Sequence, residues 1–403
     1  MNIVIDATWV ADRNYNGKIT CGALRVLIEL LAGLGDFPQH TFYLTCSSYL
    51  PEEHEKLIRF NTEIINCRNV KVSVVSFNGL KNKYFRNLYY KLSSYFPVSF
   101  FIPFIEKDVL KKTDIYHSCN DAIPRFIRNK KNIKKFFTAL DLIPLVRPDF
   151  SNQFQDYTRK LYTSLPKDVR ILAISQSTKK DVLFFRKDLK EEQIRVVYLG
   201  ASKEFFYQLD AGFQLEDKLL KYGIKPKKYF LTVNAVAKYK NCEFVLDGFV
   251  DYNMKSKVKD TKMLVIGMNR EKTYKDYLFN KYGDEKSIIF LENLLDEELT
   301  YLYNGAKAFL YMSKYEGFGL PVLEAMQCGT PVICSNSTSI PEIVGDAALN
   351  CDPTDSKTFK TYLEAISTDS NLETRLIESG LRQSLKFSWK KYQNDVVDAY
   401  SSL

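Results

Sequence analysis

Residues 315–334 read YEGFGLPVLEAMQCGTPVIC, with glutamates at 316 and 324 around a glycine-rich turn. The run before it, AKAFLYMS (306–313), is short and apolar and reads as a buried strand. The run after the glycines, PVLEAMQC (321–328), reads as a helix with Pro321 at its first position and Gly329 at its end. EGFGL is then a strand-to-helix loop, whose N–H groups and adjoining helix dipole suit an anionic phosphate. Glu316 precedes the helix and Glu324 falls in its first turn, so the two carboxylates flank whatever the helix end holds. Carboxylates accept hydrogen bonds from hydroxyls. One glutamate can hold a hexose and the other a ribose, on either side of a diphosphate. Taken alone, the spacing favours a plainer reading, a loop residue followed by a carboxylate that complements a helix dipole. The surrounding residues reverse that preference.

Working outward, strand-like runs alternate with helical ones along the whole chain. MNIVIDATW, TFYLTC, VKVSVVSF, DIYHSC, KKFFTALD, RILAIS and IRVVYLG form one series. KYFLTVNA, TKMLVIG, SIIFLEN, AKAFLYMS and PVICS form a second. Such alternation predicts α/β architecture with parallel sheets. The polar stretch 201–227 reads as the connection between two units, so the chemistry is expected in strand-to-helix loops facing a cleft. The 403 residues suffice for two cores, and 45% hydrophobic with 26% charged residues is the mix of a soluble globular chain. No signal peptide is read at the start, and no apolar run approaches the roughly 18 residues of a membrane span. The cysteines form no CxxC pair and the three histidines are dispersed, which argues against zinc and for free thiols in a reducing cytoplasm. The first strand lacks GxGxxG, which argues against a nicotinamide dehydrogenase.

The stretch SKYEGFGLPVLEAMQCGTPVICSNSTSIPEIVGDAAL (313–349) is similar to the signature of retaining glycosyltransferases of family 4, which have the two-domain GT-B fold. CGALRVLIELL, TALDLIPLVRPDF, AISQSTKKDV, KYKN and FSWKKY follow in that family's order. The resemblance implies two Rossmann-like domains: 1–202 on the acceptor side, completed by a terminal helix 386–403, and 203–385 holding the nucleotide sugar. It implies that Glu316 contacts the donor sugar at the reacting face and that Glu324 binds the ribose. Gly317, Phe318, Gly319 and Leu320 would hold diphosphate and sugar, and the nucleobase would lie at LEN, ending in Asn293. Lys240, and with it Lys238, would stabilise the leaving diphosphate; Glu316 and Lys240 are the catalytic candidates. Gly22 would approach the phosphate, with Arg25 and Asp141 on the acceptor side. His117, read at the cleft end of a strand, is either a hydrogen-bonded structural residue or a contact on that side. The chain departs from the family pattern at four places: Asn234 replaces a glycine, Tyr239 an arginine, Leu140 a histidine and Leu24 the second glycine of Gly-x-Gly-Arg.

No Asp-x-Asp metal motif is evident, so a metal-independent enzyme without cofactor is expected. The donor is expected to be GDP-mannose or a UDP-hexose, and the acceptor a growing surface glycan, lipid-linked in many relatives of this family. The alternatives are a catalytically silent sugar-nucleotide-binding partner and a GT-B sugar-nucleotide epimerase. Residues 68–135 carry 15 basic and 4 acidic side chains, which equals the whole excess of the first 200 residues. Within them, 81–112 interleaves lysines and arginines with aromatics. That composition suits either a packed crossover helix or an anionic membrane surface contacted through 81–135. No nucleic-acid motif accompanies the charge. The expected location is the cytoplasm, peripheral on the inner face of the cell membrane.

Overall fold

The structure, a computed structural model, describes residues 1–11, 22–48, 50–75, 104–150, 154–210, 214–233, 237–258, 260–267, 272–292 and 294–402. The first sheet holds β1 (Asn2–Asp6), β2 (Thr41–Thr45), β3 (Val70–Val72), β4 (Ile115–Cys119), β5 (Lys134–Ala139), β6 (Arg170–Ala173) and β7 (Ile194–Val196). The second holds β8 (Tyr229–Val233), β9 (Lys262–Ile266), β10 (Ile288–Leu291), β11 (Ala308–Tyr311), β12 (Val332–Ser335) and β13 (Leu349–Cys351). Their orders are 3-2-1-4-5-6-7 and 10-9-8-11-12-13, with neighbouring strands parallel throughout. The runs read as strands are the runs that pair. Ile3, Val4 and Ile5 are fully buried, as are Phe309 and Leu310, because helices cover both faces. β13 escaped the reading, since the three residues LNC are too short to show a period.

In each sheet the order reverses between two strands that are not consecutive in the chain, β1 beside β4 and β8 beside β11. At such a reversal the loops leaving the two strands diverge and open a crevice. In the second sheet the loop after β8 therefore lies next to the loop after β11. Sequence positions near 240 and 316 become neighbours for that reason alone.

The last helix, Trp389–Ser402, belongs to the first half. Its Gln393 amide donates to the Glu29 carbonyl (2.6 Å), and Tyr392, Val396 and Tyr400 are buried. The chain thus passes between the halves twice, once after β7 and once before Trp389. This packing decides between two readings of one residue. His117 does not line the acceptor side; it is fully buried in the middle of β4. Its Nδ1 lies 2.6 Å from the Tyr400 hydroxyl and its Nε2 2.8 Å from the Thr138 hydroxyl. Burial pushes its pKa down to about 3, so it is a neutral core residue joining sheet and terminal helix.

Tyr400→Phe should leave one ring nitrogen of His117 buried without its partner. A loss of about 1–3 kcal/mol in unfolding free energy is expected, read from the denaturant midpoint. An unchanged midpoint would mean that the terminal helix is not held by this bond.

Candidate active site

The loop after β11 leads into the helix Leu320–Gln327, one residue earlier than the sequence suggested. Gly319 caps it at φ +106°, a conformation that favours glycine, and Pro321 follows at the second helical position. Glu324 consequently stands in the second turn, not the first. The loop is tied from behind: the Thr338 hydroxyl accepts the Glu316 N–H (2.9 Å), and the Ser339 hydroxyl lies 2.9 Å from the Phe318 carbonyl. Phe318 itself is a buried anchor, its ring 6.1 Å from that of Phe387. The backbone N–H groups of Phe318, Gly319 and Leu320 donate to no group among the described residues. They sit at the amino end of the helix, where an anion is stabilised.

Two clusters of charge stand on either side of this helix end. On one side Lys240, from the short turn after β8, reaches Glu316 Oε1 at 2.6 Å and the Tyr311 hydroxyl at 2.9 Å. The Tyr311 hydroxyl also donates to Glu316 Oε1 (2.8 Å), closing a triangle. Burial pulls the ammonium pKa down, but Glu316 and the tyrosines outweigh it and hold Lys240 well above the ordinary lysine value. Asp141, after β5 of the first half, adjoins this cluster; burial and, secondarily, Glu316 raise its carboxyl. On the other side Glu324 is buried, with the Tyr303 hydroxyl at 3.2 Å. Burial pushes its carboxyl up to about 7, with Arg25 pulling the other way.

Arg25 is placed differently from the expectation. It projects from the helix Gly22–Ala32 of the first half to Asp296 of the second (2.8 Å), and it faces Glu324 electrostatically. Arg25 and Asp141, assigned together to an acceptor side, therefore belong to opposite clusters. Gly22 opens the same helix toward empty space. Lys238 is exposed at the start of the turn that carries Lys240. Asn234 and Asn293 lie outside the described residues. Tyr239, where the family has arginine, sets its ring 6.2 Å from Phe150 of the first half and 5.0 Å from the Lys240 ammonium. Tyr311, Tyr303 and Asp296 were not singled out in the sequence. Their contacts depend on the strand order. Among the described residues no group of three His, Cys, Asp or Glu side chains is arranged to hold a metal ion.

Residues 216–383 match the family described as Glycosyl transferases group 1. The chain carries a group 1 glycosyltransferase domain. The chain is 29% identical over 294 residues to the O-antigen chain mannosyltransferase B of Escherichia coli, covering 72% of this chain and 75% of that one. It is 29% identical over 273 residues to the serotype-specific mannosyltransferase WbdA of the same organism, where the match covers 65% of this chain and a third of the relative (33%). Over its full length the chain superposes on Anabaena Alr3699/HepE, solved with UDP and glucose, at a TM-score of 0.69 and 16% identity. The fold is GT-B. The group 1 match ends at residue 383, short of the terminal helix.

The raised pKa of Glu324 has a definite sign for stability. A carboxyl whose folded pKa lies above its ordinary value of 4.5 costs nothing below that value. Above it the unfolded chain ionises first, so the unliganded protein loses stability as pH rises from 4.5 to about 7 and the loss is constant beyond. Glu324→Gln lacks this loss. Across that window the unfolding free energy of the variant should gain on the parent by up to about 3 kcal/mol, at about 1.4 kcal/mol per pKa unit. Denaturant melts at several pH values test it; a constant difference would place the ionisation elsewhere.

Proposed function

We propose that this group 1 glycosyltransferase is a retaining hexosyltransferase that moves mannose, or another hexose, from a nucleoside diphosphate sugar to a growing and lipid-linked glycan. The observation that carries the reading is the pair of charge clusters flanking one helix amino end. Lys240 and Glu316 stand on one side and Glu324 on the other, with unpaired N–H groups between them. A nucleoside, a diphosphate and a hexose in that order match this sequence of groups. The naming of relatives as O-antigen mannosyltransferases supports mannose and a surface glycan; a UDP-hexose is the other donor to be tried.

In this reading the diphosphate lies on the helix end and Lys240, held protonated, faces the bond that breaks. As the bond between the sugar's anomeric carbon and phosphate oxygen breaks, negative charge gathers on the diphosphate. An ammonium already in place stabilises it without reorganisation. The acceptor hydroxyl attacks on the face from which the diphosphate departs, and its proton passes to the leaving phosphate oxygen. Glu316 orients the hexose hydroxyls and pairs with Lys240; no protein nucleophile or metal is assigned. Asp141 lies beside them from the acceptor half.

Separate losses are expected for the separate roles. Lys240→Ala should lower turnover by roughly a hundredfold to a thousandfold, as for a lost transition-state donor, and activity should survive a chelator. Glu324→Ala should weaken the free nucleoside diphosphate about tenfold or more, since a charge-assisted bond contributes about 1.5–3 kcal/mol. Glu316→Gln should bind the nucleotide normally and transfer poorly. Calorimetry beside a transfer assay reads all three. Normal binding and normal transfer in both glutamate variants would remove the donor assignment. Donor binding without any turnover in the parent would favour the silent partner.

The acceptor half supplies the proposed membrane face. Residues 81–103 of the basic window lie outside the described residues, and Lys135 is spent internally on Asp168 (2.8 Å). Arg125 and Arg128 border a cavity of about 690 Å³ with Lys167 and Arg186; Arg128 donates to the Ser164 carbonyl (2.6 Å) and Arg186 is paired to Asp188. No helix among the described residues is long and apolar enough to cross a membrane, so the contact proposed is peripheral. Vesicles containing anionic lipid should retain the protein at low salt and release it as salt rises, because screening shortens the reach of each charge. Equal retention by neutral vesicles would remove the electrostatic part.

A further inference from the structure

The segment AISQST (173–178) carries no role so far. It forms the end of β6 and the start of the helix Gln176–Phe185, in the first half. Four groups there reach the second half. The Ser175 hydroxyl donates to the Gly317 carbonyl (2.6 Å), and the Thr178 hydroxyl donates to the same oxygen (3.2 Å). The backbone N–H groups of Gln176 and Ser177, the first two of the helix, each donate to the Glu342 carboxylate at 2.8 Å. One turn on, Asp181 accepts from the Tyr315 hydroxyl. Glu342 also receives the Tyr198 hydroxyl (3.2 Å) from the stretch that leaves the first half.

These contacts converge on the donor loop. Its carbonyls at Glu316 and Phe318 are held from within the second half by Thr338 and Ser339. The one between them, at Gly317, is held by the first half alone among the described residues. Gly317 is also where the loop meets the first half most closely. A Cβ there would lie far inside van der Waals contact of the Leu140 carbonyl oxygen and 3.0 Å from the Asp141 side chain. A missing side chain thus brings Asp141 and Glu316 together, and a glutamate from one half completes the first turn of a helix in the other. Two N–H groups at a helix start require an acceptor, and an ionised one is favoured there.

We propose that Ser175, Thr178 and Glu342 are positioning residues that tie the first half to the donor loop, and so set Asp141 in working geometry against the Glu316–Lys240 pair. Glu342 acts through the Gln176–Phe185 helix and does not touch the reacting atoms. The proposal rests on the transferase reading for its kinetic consequence but not for its structural one.

The test uses Glu342→Ala and Gly317→Ala in the full chain, with melting curves to establish folding. Small-angle scattering of the unliganded proteins should show both variants more extended than the parent. In Glu342→Ala the dissociation constant for a free nucleoside diphosphate should stay within about threefold, while kcat falls about tenfold to a hundredfold, the scale of a loss in alignment. Glu342→Gln, which keeps one acceptor oxygen, should recover part of kcat. Unchanged dimensions together with unchanged kcat in Glu342→Ala would overturn the proposal. So would a loss of nucleotide affinity as large as the loss in kcat, which would make Glu342 a binding residue. Were the parent to transfer no sugar from any nucleotide donor, the function proposed above would fail, while the scattering comparison would still decide the latch.

Discussion

The cleft of this protein depends on one ammonium group. Glu316 and Asp141 approach each other from different halves in surroundings that exclude much of the water, and among the described residues neither has an arginine beside it. Buried carboxylates are costly unless a cation shares the site. Lys240 is that cation, and it reaches its place because β8 and β11 are neighbours although the chain separates them by two strands. Tyr311, at the end of β11, lies beside the ammonium–carboxylate pair and bonds to both. Strand order, the turn after β8 and the choice of lysine are therefore one requirement.

The second charge cluster is built differently. Arg25 spans from one half to Asp296 in the other, and Glu324 stays buried beside them with its pKa near neutrality. A carboxyl so placed is ready to ionise when hydroxyl donors arrive. The two clusters thus divide the labour: one is fully paired without ligand, the other is left underpaid in donors. Tyr239 belongs to this division as well. By giving up the cation found in similar proteins and laying a ring near Phe150, it leaves Lys240 as the principal positive charge on its side of the described site.

What the sequence disclosed, and what it withheld, follows from the range of each interaction. Strands buried on both faces announce themselves as short apolar runs, so the sheets could be read; the three residues of β13 could not. The glycine loop and its glutamates were legible because the helix signals lie within a few residues. Even there the start was misjudged by one residue, which moved Glu324 into the second turn, because Gly319 could serve as cap. His117 and Arg25 could not be placed from the sequence for a shared reason. Their partners, Tyr400 and Asp296, lie 283 and 271 residues away. Nothing local to either residue shows that a terminal helix covers the one or that the opposite half captures the other. The AISQST segment stood out as a pattern, yet its purpose required the position of Glu342, 165 residues from Ser177.

The double passage of the chain between the halves has a mechanical consequence. A body attached by a single strand can swing, twist and slide. Here the second half is attached at two places, after β7 and before the Trp389–Ser402 helix, and that helix is sewn into the first half by Gln393 and Tyr400. Two pins define an axis, as on a door. Motion about the line through them bends both passages gently, whereas twist or sideways slip would stretch one against the other. The same construction makes the assembly tolerant of a single break: a cut in either passage leaves the halves tethered by the other.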